Sequence, residues 1–236
     1  MSLMRLAFVA AAALVLSSCI LSPGKFVSTL HIAKDRSFTF TYVGEVILLD
    51  PASAMQQGMQ EGLASAGQEE GKDEGNSSAP AAPAAPAAET AQSVAEGKAI
   101  AEALSKEVGY RSVEYLGRNK FRVDYAMTGR LDRSFVYPVN LDAKSIIPWI
   151  AVEVRTDRTA RVKAIAFGDP DEGMGSAAKP DSPEKERSGT FTFTTDAELV
   201  MQNNEDGMAP GPGTKVVWRV TPTSKTVPTA VVRFPG

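Results

Sequence analysis

Two residues stand out for chemistry because each is the sole one of its kind in the 236-residue chain: Cys19 and His31. A thiol can act as nucleophile, metal ligand, disulfide partner or acylation site. An imidazole can act as general base or metal ligand. With one cysteine, no disulfide can close within the chain. With one histidine besides, no His/Cys spacing for zinc exists. His31 lies in KFVSTLHIAKD, on the polar side of an alternating run with Val27 and Thr29. That pattern predicts an exposed strand residue, and nothing in the sequence supports a Ser-Asp dyad around it.

The acidic stretch Gly168-Asp169-Pro170-Asp171-Glu172-Gly173 invites calcium. An EF-hand loop needs oxygen ligands at fixed offsets and a bidentate Glu at its twelfth position. The order here does not fit, and Pro170 stiffens the run, so a solvated loop is predicted. Asn203-Asn204-Glu205-Asp206-Gly207 reads as turn chemistry. No G-x-S-x-G elbow, phosphate-cradling glycine loop or zinc spacing occurs. Trp149 and Trp218 sit in strand-like runs; Trp218 alternates with Val216 and Val220 as core residues do, with a stacking platform for a ligand as the alternative. The sequence therefore predicts no catalytic residue, no metal and no cofactor, and a noncatalytic protein. A hydrolase with an unrecognised site is the remaining alternative.

Cys19 ends the segment MSLMRLAFVAAAALVLSSC. Arg5 is followed by a wholly apolar run, Leu6 to Leu16, as in the n- and h-regions of a secretory signal. A membrane span needs about 20 apolar residues, and Ser17 and Ser18 stop this run at roughly half that. Leu16-Ser17-Ser18-Cys19 resembles the lipobox of bacterial lipoproteins: an aliphatic residue, two small residues and a cysteine. The resemblance implies that the thiol takes a diacylglycerol, that a peptidase cuts between Ser18 and Cys19, and that the new amine is acylated. Each buried methylene contributes about 0.8 kcal/mol, so one chain anchors marginally and two or three anchor lastingly. In Gram-negative lipoproteins an Asp after the cysteine favours the inner membrane; here that residue is Ile20. The resemblance thus implies the outer membrane, facing the periplasm, with the outer leaflet of the inner membrane as the alternative. A secreted protein with an incidental cysteine is the competing reading.

Net charge is −3 with both signs mixed, and no basic stripe is present, which argues against a nucleic-acid partner. Residues 1–18 form the signal and residues 19–50 the lipidated start of the main domain. KFVSTLHIAKDRSFTFTYVGEVILL is a hairpin. A three-residue loop, Lys34 to Arg36, pairs Ile32 with Phe38 and Leu30 with Phe40 and keeps one face apolar; a two-residue loop would mix the faces. Residues 51–92 are rich in Ala, Gly, Gln, Glu and Pro, a composition that cannot offset its ordering entropy by burial, and read as an exposed disordered insertion. Residues 93–236 continue the main domain. Ser93-Val94-Ala95-Glu96 reads as a capping box for a helix that presents Ile100, Leu104 and Val108 and stops at Gly109. VEYL and FRVDYAM flank a Gly-Arg-Asn turn; IIPWIAVEVR and ARVKAIAF flank another; TFTFTT and ELVMQ flank Asp196-Ala197 as a strand pair; KVVWRV and TAVVRF close the chain. Residues 168–188 read as a polar loop. The expected class is α+β, with roughly eight to ten short antiparallel strands and at least one packed helix.

TFTFTTDAELVMQNN, a loop and KVVWRV together resemble the LppM-like lipoprotein domain. CILSPGKFVSTLHIAKDRSFTFTYVGEV resembles uncharacterised alphaproteobacterial lipoproteins in which a hairpin follows the lipidated cysteine almost at once. These resemblances imply a noncatalytic, membrane-anchored protein that binds a lipid or other envelope component. A scaffold or accessory subunit of an envelope assembly complex is the alternative. No site residue beyond Cys19 is carried over.

Overall fold

A computed structural model describes residues 20–49, 89–138, 148–168, 186–211 and 213–236. Ser18, Cys19, most of the 51–92 insertion and the acidic run 169–173 lie outside the described residues.

Alternation builds the first sheet. Strand β1 (Ile20–Ile32) turns into β2 (Ser37–Leu49), with Ile32 opposite Phe38 and Leu30 opposite Phe40, the register that an apolar inner face demands. The turn is closed by Ala33 N to Ser37 O at 2.8 Å and Arg36 N to Ala33 O at 2.9 Å, and Arg36 takes φ 71°. Asp35 secures it by accepting from Ser37 N at 2.9 Å. Next come β3 (Tyr110–Gly117) and β4 (Lys120–Arg130), joined through Arg118 and Asn119, both at positive φ. Strand β4 pairs with β2 and puts Phe121, Val123 and Tyr125 on the same buried face.

A second sheet is begun by β5 (Phe135–Tyr137), β6 (Ile150–Val154) and β7 (Thr159–Lys163). The Ile165-Ala166-Phe167 segment, read from sequence as the end of a strand, is a 3-10 turn that buries Phe167. The last four strands are β8 (Ser188–Thr195), β9 (Glu198–Gln202), β10 (Thr214–Val220) and β11 (Thr229–Arg233). The sheets run β10-β8-β1-β2-β4-β3 and β5-β6-β7-β11-β9. Their inner faces share one core, with Phe40 against Tyr137 at 4.9 Å, Tyr42 against Trp149 at 5.2 Å and Phe26 against Phe167 at 4.2 Å between ring centroids. The class is α+β and strand-rich, as the sequence predicts.

Four expectations need correction. The described residues hold eleven strands, and one pair, β1 with β8, is parallel. TFTFTT and ELVMQ are not a pair: β8 lies in the six-stranded sheet and β9 in the five-stranded one. Thr195 Oγ1 accepts from Ala197 N at 3.0 Å and Asp196 accepts from Lys34 N at 2.6 Å, so the chain turns a corner there instead of a hairpin. The helix, α1 (Ala91–Leu104), is capped by Thr90, not Ser93. Thr90 Oγ1 accepts from Ser93 N at 3.1 Å, which adds a turn ahead of the sequence-predicted start. Its packed face is Gly97 and Ala101, set against β3; a Cβ at Gly97 would overlap the Tyr115 ring. Of the predicted face, Ile100 is 37% exposed, Leu104 is half-buried and Val108, beyond the helix end, is 85% exposed. Close approach to an aromatic ring selects small residues, so the larger apolar side chains take the margin of the contact and not its centre.

Candidate functional site

Strand β1 starts at Ile20, so no linker separates the cysteine from the sheet. At this end Ile20 pairs with Leu49 and Leu21 with Leu48. Trp149 reaches across from the other sheet and donates its Nε1–H to Leu21 O at 3.0 Å. This indole is buried and structural. Cys19 and the Ser18–Cys19 junction are outside the described residues, so their expected chemistry rests on sequence.

His31 lies exposed on the outer face of the six-stranded sheet, as predicted, with Nδ1 2.9 Å from Thr194 Oγ1. The row across the strands at its level reads Lys215, Thr194, His31, Thr39, Thr128. No carboxylate stands in that row to orient the imidazole for base catalysis. The row beside it reads Val217, Thr192, Thr29, Thr41, Ala126, and Thr29 and Thr41 bond to one another at 2.6 Å. This outer face is thus rich in hydroxyls and low in charge, with the cross-strand pair Val27 and Val43 about half exposed, at 56% and 49%. Among the described residues no group of three or more His, Cys, Asp or Glu could hold a metal ion.

Two surface depressions are lined by β9, β10 and the loops that join them to their neighbours. One, of ≈ 250 Å³, is bounded by Phe167, Trp218, Asn203 and Lys225. Its rim carries Arg219 and Lys225 against Glu205 and Asp206, so it favours neither sign of charge. The Trp218 indole is mostly buried and stacked on Phe191 at 5.5 Å, and its Nε1–H is given to Asn203 Oδ1 at 3.2 Å. The other, a groove of ≈ 530 Å³, runs along β9, an edge strand of the five-stranded sheet among the described residues, past Leu199, Val200, Met201 and Met208. A register shift between Val231 and Val232 leaves Val200 without a partner on β11, and Val200 and Met201 are exposed one after the other. Met208 beside them is 62% exposed.

Two residues here were not legible in the sequence. Asn203, read as part of a turn, clasps the two sheets: besides Trp218 it accepts from Thr229 N at 2.8 Å and donates to Val227 O at 2.8 Å. The turn reading holds for its neighbour, since Asn204 Oδ1 accepts from Asp206 N at 2.9 Å. Arg187, read as the end of a polar loop, is buried and donates to Gly168 O at 2.6 Å, Ala166 O at 3.2 Å and Ser224 O at 3.3 Å. A cation in a polar run reads as solvated; only the fold shows three carbonyls converging on it.

Four tyrosines cluster beneath the first sheet: Tyr42, Tyr125 and Tyr137 are buried, and Tyr110 is half-buried against Tyr125. Burial pushes the Tyr42 and Tyr137 hydroxyls well above the usual phenol range and Tyr110 up to about 12. Tyr42 donates to Glu45 O at 2.7 Å. These phenols are held neutral and packed, which suits a core and not proton transfer at neutral pH.

No family model matches the chain, and no curated protein matches it. A solved structure, the NMR structure of the folded domain of the Mycobacterium tuberculosis LppM protein, is similar over 92% of this chain and 93% of that one, with 13% identity and a TM-score of 0.34. No helix among the described residues is long and apolar enough to cross a membrane.

Proposed function

We propose that this chain is a bacterial lipoprotein, held by acyl chains on Cys19 at the periplasmic face of the outer membrane, whose domain binds an envelope component and catalyses nothing. The observation that carries it is the junction: the lipobox-like Leu16-Ser17-Ser18-Cys19 ends one residue before β1 begins. A signal cut before Cys19 would release a chain whose next residue is already in a sheet. The test is Cys19→Ser. The variant should leave the membrane fraction or accumulate as uncleaved precursor. A variant that stays with membranes through a high-salt wash, like the parent, refutes the anchor.

The second form of the reading, an accessory subunit that docks another envelope protein, is favoured by the groove along β9. A lipid ligand calls for an apolar cavity, whereas a partner surface calls for exposed apolar side chains such as Val200, Met201 and Met208. Methionines suit adaptable contact surfaces. Native mass spectrometry of protein taken from its own membrane decides between the two: a co-purifying protein supports the docking form, a stoichiometric lipid supports the ligand form.

A further inference from the structure

A sheet edge is an open ladder, and proteins blunt it with charged side chains, a covering helix or a very short strand. Among the described residues four strands stand at an edge: β10 and β3 in the six-stranded sheet, β5 and β9 in the five-stranded one. Three of them are blunted. Strand β10 carries exposed Lys215 and Arg219. Strand β3 bears exposed Arg111 and Glu114 and has α1 packed against it, Gly97 on the Tyr115 ring. Strand β5 is three residues long.

Strand β9, Glu-Leu-Val-Met-Gln, has no lysine, arginine or proline. Its one charge, Glu198, is paired with Arg233 of β11 at 2.9 Å. The bulge at Val200 twists this edge, yet it turns two apolar side chains outward in succession, Val200 and Met201, and Met208 extends them along the groove. An edge built to deter pairing would carry a charge there.

The strand suits a copy of itself. A two-fold pair of identical edges is antiparallel, so Val200 and Met201 of each copy meet at its centre, and Glu198 comes to the Gln202 end of the other. No carboxylate of the strand faces its like. The other carboxylates near β9 in sequence lie beyond its ends: Asp196 at the corner, bonded to Lys34 N, and Glu205 and Asp206 past the clasp at Asn203. Lys215 follows Thr214 at the margin of the groove. The two-fold axis of such a pair runs perpendicular to the sheet. Both copies therefore keep the six-stranded sheet, and with it the start of β1 next to Cys19, on the same side, where one membrane leaflet can hold both.

We propose that β9 pairs edge to edge, antiparallel, with β9 of a second copy of this chain, joining the two five-stranded sheets into one. This names the partner for the docking form of the function proposed above and rests on acylation of Cys19. The strand offers five residues a side, where a stable interface uses about 20–30, so the pair forms where tethers confine both copies to one surface.

The experiment cross-links full-length, lipidated protein in vesicles of phosphatidylethanolamine and phosphatidylglycerol with a short bismaleimide. An acylated Cys19 leaves an introduced thiol as the sole reactive sulfur. Val200→Cys is compared with Val136→Cys on β5, the opposite edge of the same sheet, because the two valines are similarly exposed, at 43% and 39%. Met208→Cys is a second position should Val200→Cys fold poorly. The Val200→Cys protein should give several-fold more covalent dimer than Val136→Cys. Adding Met201→Lys, a charge on the edge, should bring it down to the Val136→Cys level. Equal dimer from Val200→Cys and Val136→Cys, or a Val200→Cys dimer indifferent to Met201→Lys, overturns the pairing. In native membranes, a Val200→Cys adduct with a different protein in place of the dimer overturns the second copy as the occupant. A parent protein that cross-links through Cys19, or that does not float with the vesicles, overturns the anchor reading and the tethered pair with it, whereas the comparison of Val200→Cys with Val136→Cys bears on the pairing alone.

Discussion

Strands β1 to β7 pair largely with near neighbours in the chain, inside one sheet at a time, whereas β8 to β11 fall alternately in the six-stranded and the five-stranded sheet. The first group is held by ladders. Its hairpins close with short turns, and their inner faces carry the aromatic residues. The second group stitches the sheets along one side, and its connections are held by single polar side chains: Asp196 and Thr195 at one corner, Asn203 at the next, Arg187 at the start. Ladders spread their stability over many bonds. A stitch concentrates it, so a single substitution can open one side without unzipping the rest.

The largest effect should come from alkali, which attacks both groups at once. Tyr42 of β2, Tyr110 of β3 and Tyr137 of β5 all have raised phenol pKa values, first because of burial. A phenol whose pKa is higher folded than unfolded holds its proton more tightly in the fold. Its contribution is fully present below the unfolded value near 10 and is lost as pH rises toward the folded value, about 12 for Tyr110. Complete, cooperative unfolding is expected in that window, with tyrosinate absorbance and near-UV dichroism changing together. Tyrosines that ionise near pH 10 while the dichroism persists would show the cluster to be open to solvent.

Next in size is Phe40→Ala. Phe40 is fully buried on β2 and meets Phe135 and Tyr137 of the opposite sheet at 5.7 and 4.9 Å. Truncation of such a side chain costs about 3–5 kcal/mol. Because the contact crosses the sandwich, hydrogen-exchange protection should fall in residues 190–234 as well as 25–49. Loss confined to 25–49 would make the hairpin a separate module.

What could be read in advance divides along the same line. The hairpin register of β1 and β2 follows from alternation, because only one pairing gathers Leu30, Ile32, Phe38 and Phe40 on one face. Phe121, Val123 and Tyr125 were legible for the same reason. The corner at Asp196-Ala197 was not: two short strands with a two-residue connection look like a hairpin, but β8 joins β1, where Thr194 lies beside His31 163 positions away, and β9 joins β11 near the other end of the chain. Nor was the helix face. Gly97 and Ala101 are chosen by the nearness of Tyr115, a fact of packing that hydrophobic periodicity does not contain. Of the functional readings, the placement of His31 was legible as strand parity, while the groove at Val200 and Met201 arises from a bulge that has no sequence signature.

Asn203→Leu should isolate the stitch. It removes an acceptor from Trp218 Nε1–H and Thr229 N and a donor to Val227 O. Unsatisfied buried groups cost about 1–3 kcal/mol, and the adjoining cleft admits water, which keeps the loss toward the low end. The melting midpoint should fall by several degrees, about 2–4 °C per kcal/mol in a domain of this size. Exchange should rise first in residues 198–234, with 25–49 still protected, whereas a core truncation loosens both. Asn203→Asp, which keeps the acceptor, should lose less. Uniform loss of protection would mean that the stitch and the ladders are one cooperative unit.

The smallest effect sharpens the comparison most, because it sets two like turns against each other. Arg36 and Arg118 both hold left-handed backbone, at φ 71° and 51°. That conformation costs an L-residue about 1–2 kcal/mol, of which glycine's extra chain entropy takes back roughly 0.5–1. Arg118→Gly should therefore stabilise by about 0.5–1 kcal/mol, since its backbone N–H bond to Glu89 at 2.8 Å survives and its exposed charge contributes little. Arg36 has a second role: its guanidinium lies 5.1 Å over the Phe234 ring, from the first hairpin to the end of the last strand. A cation–π contact of that kind is worth about 0.5–1 kcal/mol, which cancels the backbone gain. Arg36→Gly should leave the melting midpoint nearly unchanged while Arg118→Gly raises it by a degree or more. Equal gains at the two turns would show that the Arg36–Phe234 contact contributes nothing, and that the first hairpin and the last strand meet through the core alone.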